Sequence, residues 1–394
     1  MIVTRTPLRV TLGGGGTDLP SYYREHGGFI FAMGIDKYMY LMVNRPVSDA
    51  LVRVRYSRSE AVTRPAELEH ELARAALLEH GVRDRIEVSS MADLPGGTGL
   101  GSSGAYLVGL LSALWRGSGR DATRRELAEE ACRLELDVLG KRVGKQDQYM
   151  AAFGGLTVLE IARDGEVAVR RVELGAGAVD TLVANTHLYY TGVRRSASDV
   201  LRDQDAALAR GRRLAGRPEP DSVVAESLHG IRELGHRILS AIEAEDMDAW
   251  GRLLHEHWEH KKRLSRRVSL SGVDELYEHV RSEYGVLGGK IAGAGGGGFL
   301  MLYAPAGHDR LERFMESRGM PRLRYSLAPA GVEVVADLRG GNGWSLTDAA
   351  GADGAAGAAD KAGAAGADDT VGATVATVAT SPAGGAPARG GADH

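Results

Sequence analysis

The chain has 394 residues, 43% of them apolar, which is enough to bury one or two sizeable cores. Lys and Arg total 48 against 52 Asp and Glu, so no basic field argues for nucleic acid as a partner. No apolar run reaches the roughly 18 residues of a membrane helix, charged Arg5 and Arg9 interrupt any leader, and the single cysteine, Cys132, can form no internal disulfide. The expectation is a cytoplasmic protein that binds neither nucleic acid nor membrane.

In chain order, Ile2–Leu12, Tyr38–Arg45 and Leu51–Tyr56 are β-rich and partly alternating, which predicts strands. Pro65 to His80 reads as a helix stopped by Gly81, and Ile86 to Val88 as a short strand. The run Tyr106, Leu107, Val108, Leu110, Leu111, Leu114 predicts a helix entered from a glycine-rich loop. Thr123-x-x-Glu126 is a capping box that opens a helix with Leu127, Ala131, Leu134 and Val138 on one face. A strand over Thr181–Tyr190 begins a second unit, followed by helical patterns near 220–245, 247–266 and 273–284. Residues 298–304 and 331–337 supply closing strands. The chain thus divides into 1–180, 181–344 and a tail, 345–394. In the tail 28 of 50 residues are Ala or Gly and none is aromatic, too little apolar bulk to offset the entropy of ordering, so it is expected to be disordered.

Residues 94–106, LPGGTGLGSSGAY, carry the most chemistry. Glycines let a backbone wrap closely around a ligand, and a helix's first turn offers N–H groups without intrahelical partners. Together they make a concave set of donors at the positive end of a helix dipole, which suits a polyphosphate. The plainer alternative is a Gly/Ser turn capping an ordinary helix. It is not a Walker A loop, since no GxxxxGK[ST] occurs, and the Rossmann fingerprint also fails for want of a following acidic residue. Two further glycine-rich segments flank it: TPLRVTLGGGGTD (6–18) and GGKIAGAGGGGFLMLY (288–303), the latter between a helix and a buried strand. HEHWEHKK (255–262) invites a metal reading. On a helix, however, His255 and His257 point about 200° apart and only His257 and His260 share a face, so the segment is read as a polar helix face.

Three such motifs in this order resemble the GHMP small-molecule kinases, which include galactose, homoserine and mevalonate kinases. The resemblance implies an α+β class, the GHMP kinase fold: an S5-like N-terminal ATP-binding domain over 1–180 and a ferredoxin-like C-terminal domain over 181–344. The active site would lie between them, with the tail outside. It implies an enzyme that uses ATP and Mg²⁺. Pro95, Gly97, Thr98, Gly99, Leu100, Gly101, Ser102, Ser103 and Gly104 would cradle the nucleotide, and Ser103 (or Ser102) with Glu135 matches the metal positions. Asp147, in GKQDQYMAAFGG (144–155), matches the catalytic aspartate that accepts a hydrogen bond from the attacking hydroxyl and takes its proton. Arg9 matches the basic residue after the first motif's proline, where a cation stabilises developing negative charge. Lys145 is the second candidate for that role.

The acceptor is read from departures. In galactokinases Glu-His precedes the Thr-Asp pair; here Gly15 and Gly16 precede Thr17 and Asp18. Loss of an anionic and a bulky side chain makes room, leaves backbone N–H groups exposed and removes repulsion of an anion. GGGGTDLPSYYREHGG (13–28), GKQDQYMAAFGGL (144–156) and YYTGVRRSASDVL (189–201) resemble the D-glycero-D-manno-heptose 7-phosphate kinases. The resemblance assigns Gly14, Gly15, Gly16, Thr17, Asp18, Gly295 and Gly296 to the acceptor, with Asp18 on sugar hydroxyls and Arg195 (or Arg194) forked on its phosphate. The implied ligands are ATP and a small sugar phosphate, phosphorylated at the anomeric C1 hydroxyl. A kinase of an unphosphorylated sugar such as fucose is the alternative enzyme, and a non-catalytic sugar-binding regulator the alternative class. Intact Asp147, Glu135 and Ser103 favour an enzyme. A homodimer is compatible with the sequence and not required by it.

Overall fold

The computed structural model describes residues 1–193, 200–206, 208, 220–265, 267–269 and 271–339. Its two longest strands come first: β1 (Ile2–Gly14) and β2 (Gly28–Asn44) pair antiparallel from Ile2↔Val43 to Gly14↔Ile30, joined through α1 (Pro20–His26). β3 (Val52–Arg55) and β4 (Ser59–Val62) follow as a hairpin. The helix expected from Pro65 is split. A 3-10 turn covers Pro65–Glu67, and α2 (Glu71–Glu79) starts only where the His70 imidazole accepts the Ala73 N–H at 3.2 Å. β5 (Ile86–Ala92) leads through the glycine-rich loop into α3 (Ser102–Gly117).

The expected capping box opens α4 (Arg124–Arg133), but a single π turn, Leu134–Val138, ends it. That turn shifts the register, so Leu127, Ala131 and Leu134 are buried while Val138 is 51% exposed and leaves the predicted face. α5 (Gln146–Phe153), β6 (Leu156–Ile161) and β7 (Val167–Arg171) complete the first half. The strand expected over Thr181–Tyr190 is half helix: α6 runs Ala176–Asn185 and β8 only Thr186–Tyr190. The run Thr-Leu-Val-Ala carries no period of its own, and the Thr181 hydroxyl donates to the Gly177 carbonyl one turn back at 2.8 Å.

Then come α7 (Pro220–Glu243), α8 (Met247–Lys262), α9 (Ser271–Glu283), β9 (Gly288–Ile291), β10 (Phe299–Tyr303), α10 (His308–Ser317), β11 (Arg322–Leu323) and β12 (Glu333–Asp337). Two sheets result. The larger has eight strands in the order β12-β1-β2-β5-β3-β4, with β6 also on β2 and β7 on β6; the smaller is β11-β8-β10-β9. Among the described residues only β3 and β5 run parallel. The last expected strand therefore returns to the larger sheet, with Ile2 opposite Asp337 and Arg5 opposite Glu333.

α3 packs on β1 and β2, and its Leu107, Leu110, Leu111 and Leu114 are all fully buried. The contact is close because of Gly109, where a Cβ would sit 2.7 Å from the Thr6 hydroxyl. α7 lies against α8 and β1, and α8 against β9, so the far end of β1 is enclosed by elements from both halves of the chain. Among the described residues no helix is long and apolar enough to cross a membrane. The tail expected to be disordered, 345–394, lies outside the described residues.

Candidate active site

The loop after β5 turns through Gly97, Gly99 and Gly101 at φ of 78°, 81° and 83°, a region that side chains disfavour. Gly101 is the N-cap of α3 and no side chain caps this end, so the first-turn N–H groups stay available beside Ser102 and Ser103 on a cavity wall. The Thr98 hydroxyl bonds the Pro95 carbonyl at 3.0 Å, and the Leu100 carbonyl accepts the Arg9 N–H at 3.0 Å, which fastens the loop to β1.

Arg9 is 4% exposed. Its Nε and Nη2 both reach Oδ1 of Asp147, at 2.8 and 2.6 Å, and Nη1 donates to the Gly99 carbonyl at 2.7 Å. Asp147 stands in the first turn of α5 and packs against Gly104, where a Cβ would fall 2.8 Å from its own. One residue before it, the Gln146 N–H donates to Oδ2 of Asp18 at 3.0 Å. Burial pushes the Asp18 carboxyl above the usual range, an effect this hydrogen bond opposes and the nearby Asp147 charge reinforces. Asp18 rests on Gly144, where a Cβ would lie 1.8 Å from its carboxylate oxygen. These residues line a cavity of about 250 Å³.

Of the residues expected from sequence, Arg9, Gly15, Gly16, Asp18, Gly97, Gly99, Gly101, Ser102, Ser103 and Asp147 face this one cavity. Pro95, Thr98, Leu100 and Gly104 support it from behind. Gly14 offers its carbonyl to His257, and Thr17 is fully buried with its hydroxyl bridging the Phe29 backbone. Gly295 and Gly296 pack on Val268 rather than on the cavity, the Gly296 N–H bonding its carbonyl at 2.7 Å. Lys145 departs from its expected place: its ammonium bonds the Gly165 carbonyl and lies 5.5 Å from the Tyr23 ring centroid, in a separate cleft. The cause is its position as N-cap of α5, from which its side chain runs away from Asp147. Glu135 is 1% exposed, sits in the π turn and accepts a 2.5 Å bond from Gln148 Nε2. Burial raises its carboxyl, and it stands behind the cavity wall. Arg194 and Arg195 lie outside the described residues.

The sequence reading missed the contribution of α8. His257 is 1% exposed and its Nε2 bonds the Gly14 carbonyl, and Lys261, 8% exposed, lines the cavity. The polar-face reading of HEHWEHKK thus holds for the outward Glu256 and not for His257, Trp258 or Lys261. A signal was available: Trp250, Leu254, His257 and Lys261 follow one helical stripe that begins apolar. The third glycine-rich loop closes the far wall. A Cβ on Gly293 would meet Gly99 at 2.7 Å, and one on Gly298 would meet the Thr98 carbonyl at 2.3 Å, so the two loops touch backbone to backbone.

The model described as the GHMP kinases N terminal domain matches residues 66–155, and that described as GHMP kinases C terminal matches 238–319. Over 316 residues the chain is 26% identical to a D-glycero-alpha-D-manno-heptose 7-phosphate kinase of Campylobacter jejuni, across 77% of this chain and 89% of that one. It is 25% identical over 363 residues to an L-fucokinase/L-fucose-1-P guanylyltransferase of Bacteroides fragilis, across 82% of this chain and 37% of that longer protein. A crystal structure described as a D-glycero-D-manno-heptose 1-phosphate kinase from Bacteroides thetaiotaomicron shares the fold, with a TM-score of 0.67 at 22% identity, covering 84% of this chain and 98% of that one. Both domain models match in order, on an α+β architecture shared with solved GHMP kinases, and the chain carries the N-terminal and C-terminal domains of the GHMP kinases.

Proposed function

We propose that this GHMP kinase transfers the γ-phosphoryl group of ATP to the anomeric C1 hydroxyl of a sugar phosphate, with D-glycero-D-manno-heptose 7-phosphate giving the 1,7-bisphosphate. The observation that carries the reading is the Asp147 carboxylate, gripped by Arg9 between the glycine-rich loop and Asp18. Both Arg9 donors go to Oδ1, which leaves Oδ2 to accept the acceptor's proton as its oxygen attacks. The new bond joins that oxygen to phosphorus, and the bond from phosphorus to the departing ADP oxygen breaks. Phosphoryl transfer asks a protein chiefly for positioning and electrostatic stabilisation. The uncapped N-terminus of α3 fits the phosphates of ATP, and Arg9 offsets charge that develops near Asp147.

Mg²⁺ would be held by Ser103, on the cavity wall, with Glu135 as the second candidate ligand, a buried carboxylate behind that wall that accepts from Gln148 and that no cation pairs with among the described residues. When bound, the metal neutralises phosphate charge. Asp18 holds sugar hydroxyls, the cavity-lining backbone at Gly15 and Gly16 receives the acceptor's anionic end, and Arg194 or Arg195 forks its phosphate. The ATP-binding domain is assigned to 1–180 and the C-terminal domain to 181–344.

ATP consumption against a panel of sugars and sugar 6- and 7-phosphates, with phosphorus NMR of the product, tests the reading. Turnover confined to the heptose 7-phosphate, with the new phosphate at C1, is expected. The similarity to a fucokinase supports a second reading, in which L-fucose or free heptose is used as well as the phosphate. Absence of turnover with every acceptor would leave a sugar-binding regulator.

A further inference from the structure

Lys261, on the cavity wall, and Lys290, behind it, are two buried lysines that pair with no carboxylate among the described residues. Lys261 on α8 donates to the carbonyls of Ile291 and Gly293, at 2.8 and 2.6 Å, and Lys290 on β9 to the Leu12 carbonyl at 3.4 Å. They are 8% and 2% exposed, and among the described residues neither pairs with an acid. Neutral carbonyls offset only part of the cost of burying an ammonium. Burial and the nearby Arg9 bring the Lys261 ammonium down to about 7, and burial with the charges of Lys261 and Arg9 lowers Lys290 well below its ordinary value. The groups that face Lys261 are Arg9 on β1, Lys290 on β9 and His257 on its own helix; Asp147 on α5 shares the cavity and is paired to Arg9. Asp18 also lines the cavity, its carboxyl raised by burial and held by the Gln146 N–H, so neither carboxylate there pairs with Lys261.

The anchors of Lys261 locate where an anion belongs. Gly293, whose carbonyl holds it, abuts Gly99, and the Gly99 carbonyl holds Arg9. Lys261 and Arg9 thus flank one glycine–glycine junction, beside the phosphate loop and on the cavity that Asp147 lines. We infer that Lys261 is a second cation on the transferring phosphoryl group: its ammonium exchanges the Ile291 and Gly293 carbonyls for an oxygen of the terminal phosphate of a nucleoside triphosphate. The inference rests on the reading of ATP as donor.

Calorimetry with a non-hydrolysable ATP analogue and with ADP, each with Mg²⁺, separates the possibilities. Lys261→Met is expected to weaken the analogue about ten- to a hundredfold and to leave ADP within about twofold, since only one of them carries the terminal phosphate. In wild-type protein at pH 8, titrations in two buffers of different ionisation enthalpy should reveal uptake of about one proton with the analogue and none with ADP, because a largely neutral Lys261 recharges on contact with the anion. This second measurement needs no variant and decides the matter if Lys261→Met does not fold. Equal effects on both nucleotides, proton uptake with neither, or a loss confined to sugar phosphate binding would overturn the assignment. Wild-type protein that bound neither nucleotide would overturn the kinase reading as well.

Discussion

Gly144→Ala tests whether Asp18 positions the acceptor. The backbone at Gly144 lies outside the left-handed region, so alanine meets no dihedral penalty there and the effect is purely steric. Its Cβ would lie 1.8 Å from Oδ2, 2.3 Å from Cγ and 2.8 Å from Oδ1 of Asp18, and the Asp18 side chain is short and 1% exposed, so it has little room to swing. The carboxylate must turn and give up the 3.0 Å bond from the Gln146 N–H. A hydrogen bond to a charged group contributes about 1.5–3 kcal/mol. Losing that positioning should lower kcat/KM for the sugar by about one to two decades, at about 1.4 kcal/mol per decade. Overpacking should also cost about 1–3 kcal/mol of stability. Steady-state kinetics with sugar and ATP varied in turn, beside urea unfolding, would measure both. The KM for ATP should barely move. As a control, Gly177→Ala on α6 meets nothing within 4 Å and should be neutral or stabilise by about 0.5–1 kcal/mol. A Gly144→Ala enzyme with wild-type KM for the sugar and unchanged unfolding would refute the placement of Asp18.

Asp147→Asn should keep nucleotide affinity and lower kcat by about 10²- to 10⁴-fold in a quenched-flow or coupled assay, the usual range for a lost proton acceptor; near-normal turnover would remove Asp147 from that role. Ser103→Ala with Glu135→Gln should raise the Mg²⁺ concentration for half-maximal rate, and an unchanged metal titration would reject that pair. Fully buried His187, bonded to the Tyr189 hydroxyl at 2.8 Å, is brought down to about 3, first by burial and then by the charge of Arg322. Between that value and about 6.5 the unfolded chain binds the extra proton, so stability is whole above pH 6.5 and falls as pH drops toward 3; His187→Leu should flatten the slope of unfolding free energy against pH. Removal of residues 345–394 should leave unfolding cooperative, since the last strand of the larger sheet is complete at Asp337.

Much of the site was legible because its parts are local. Glycines at 97, 99 and 101 ahead of a helical run, Arg9 two residues after Pro7, and Asp147 beside Gln146 each announce a backbone shape or a charge within a few residues. Lys261 was not legible in the same way. What gives it meaning is a pair of carbonyls at Ile291 and Gly293 supplied by another element, and its own neighbours, His260 and Lys262, read as solvated. Lys145 misled for the converse reason: two residues from Asp147 in sequence, it is turned away by its place as a helix cap. Val138 failed because a single π turn breaks a period that residue types do not encode, and Thr181–Asn185 because an apolar run of that length suits helix and strand alike.

The pairing of β12 with β1 has a consequence for how the protein is made. During synthesis β1 emerges first and finds β2 within some thirty residues, yet its other edge waits for Glu333–Asp337. Until then Ile2 to Arg5 present unpaired N–H and C=O groups, a template for pairing with another nascent chain. A ribosome-bound or proteolytic fragment that stopped between Gly117 and Glu333 would carry that open edge together with the phosphate loop. It would also lack Arg5–Glu333 and Arg116–Asp337, the ion pairs that hold the closing strand in place.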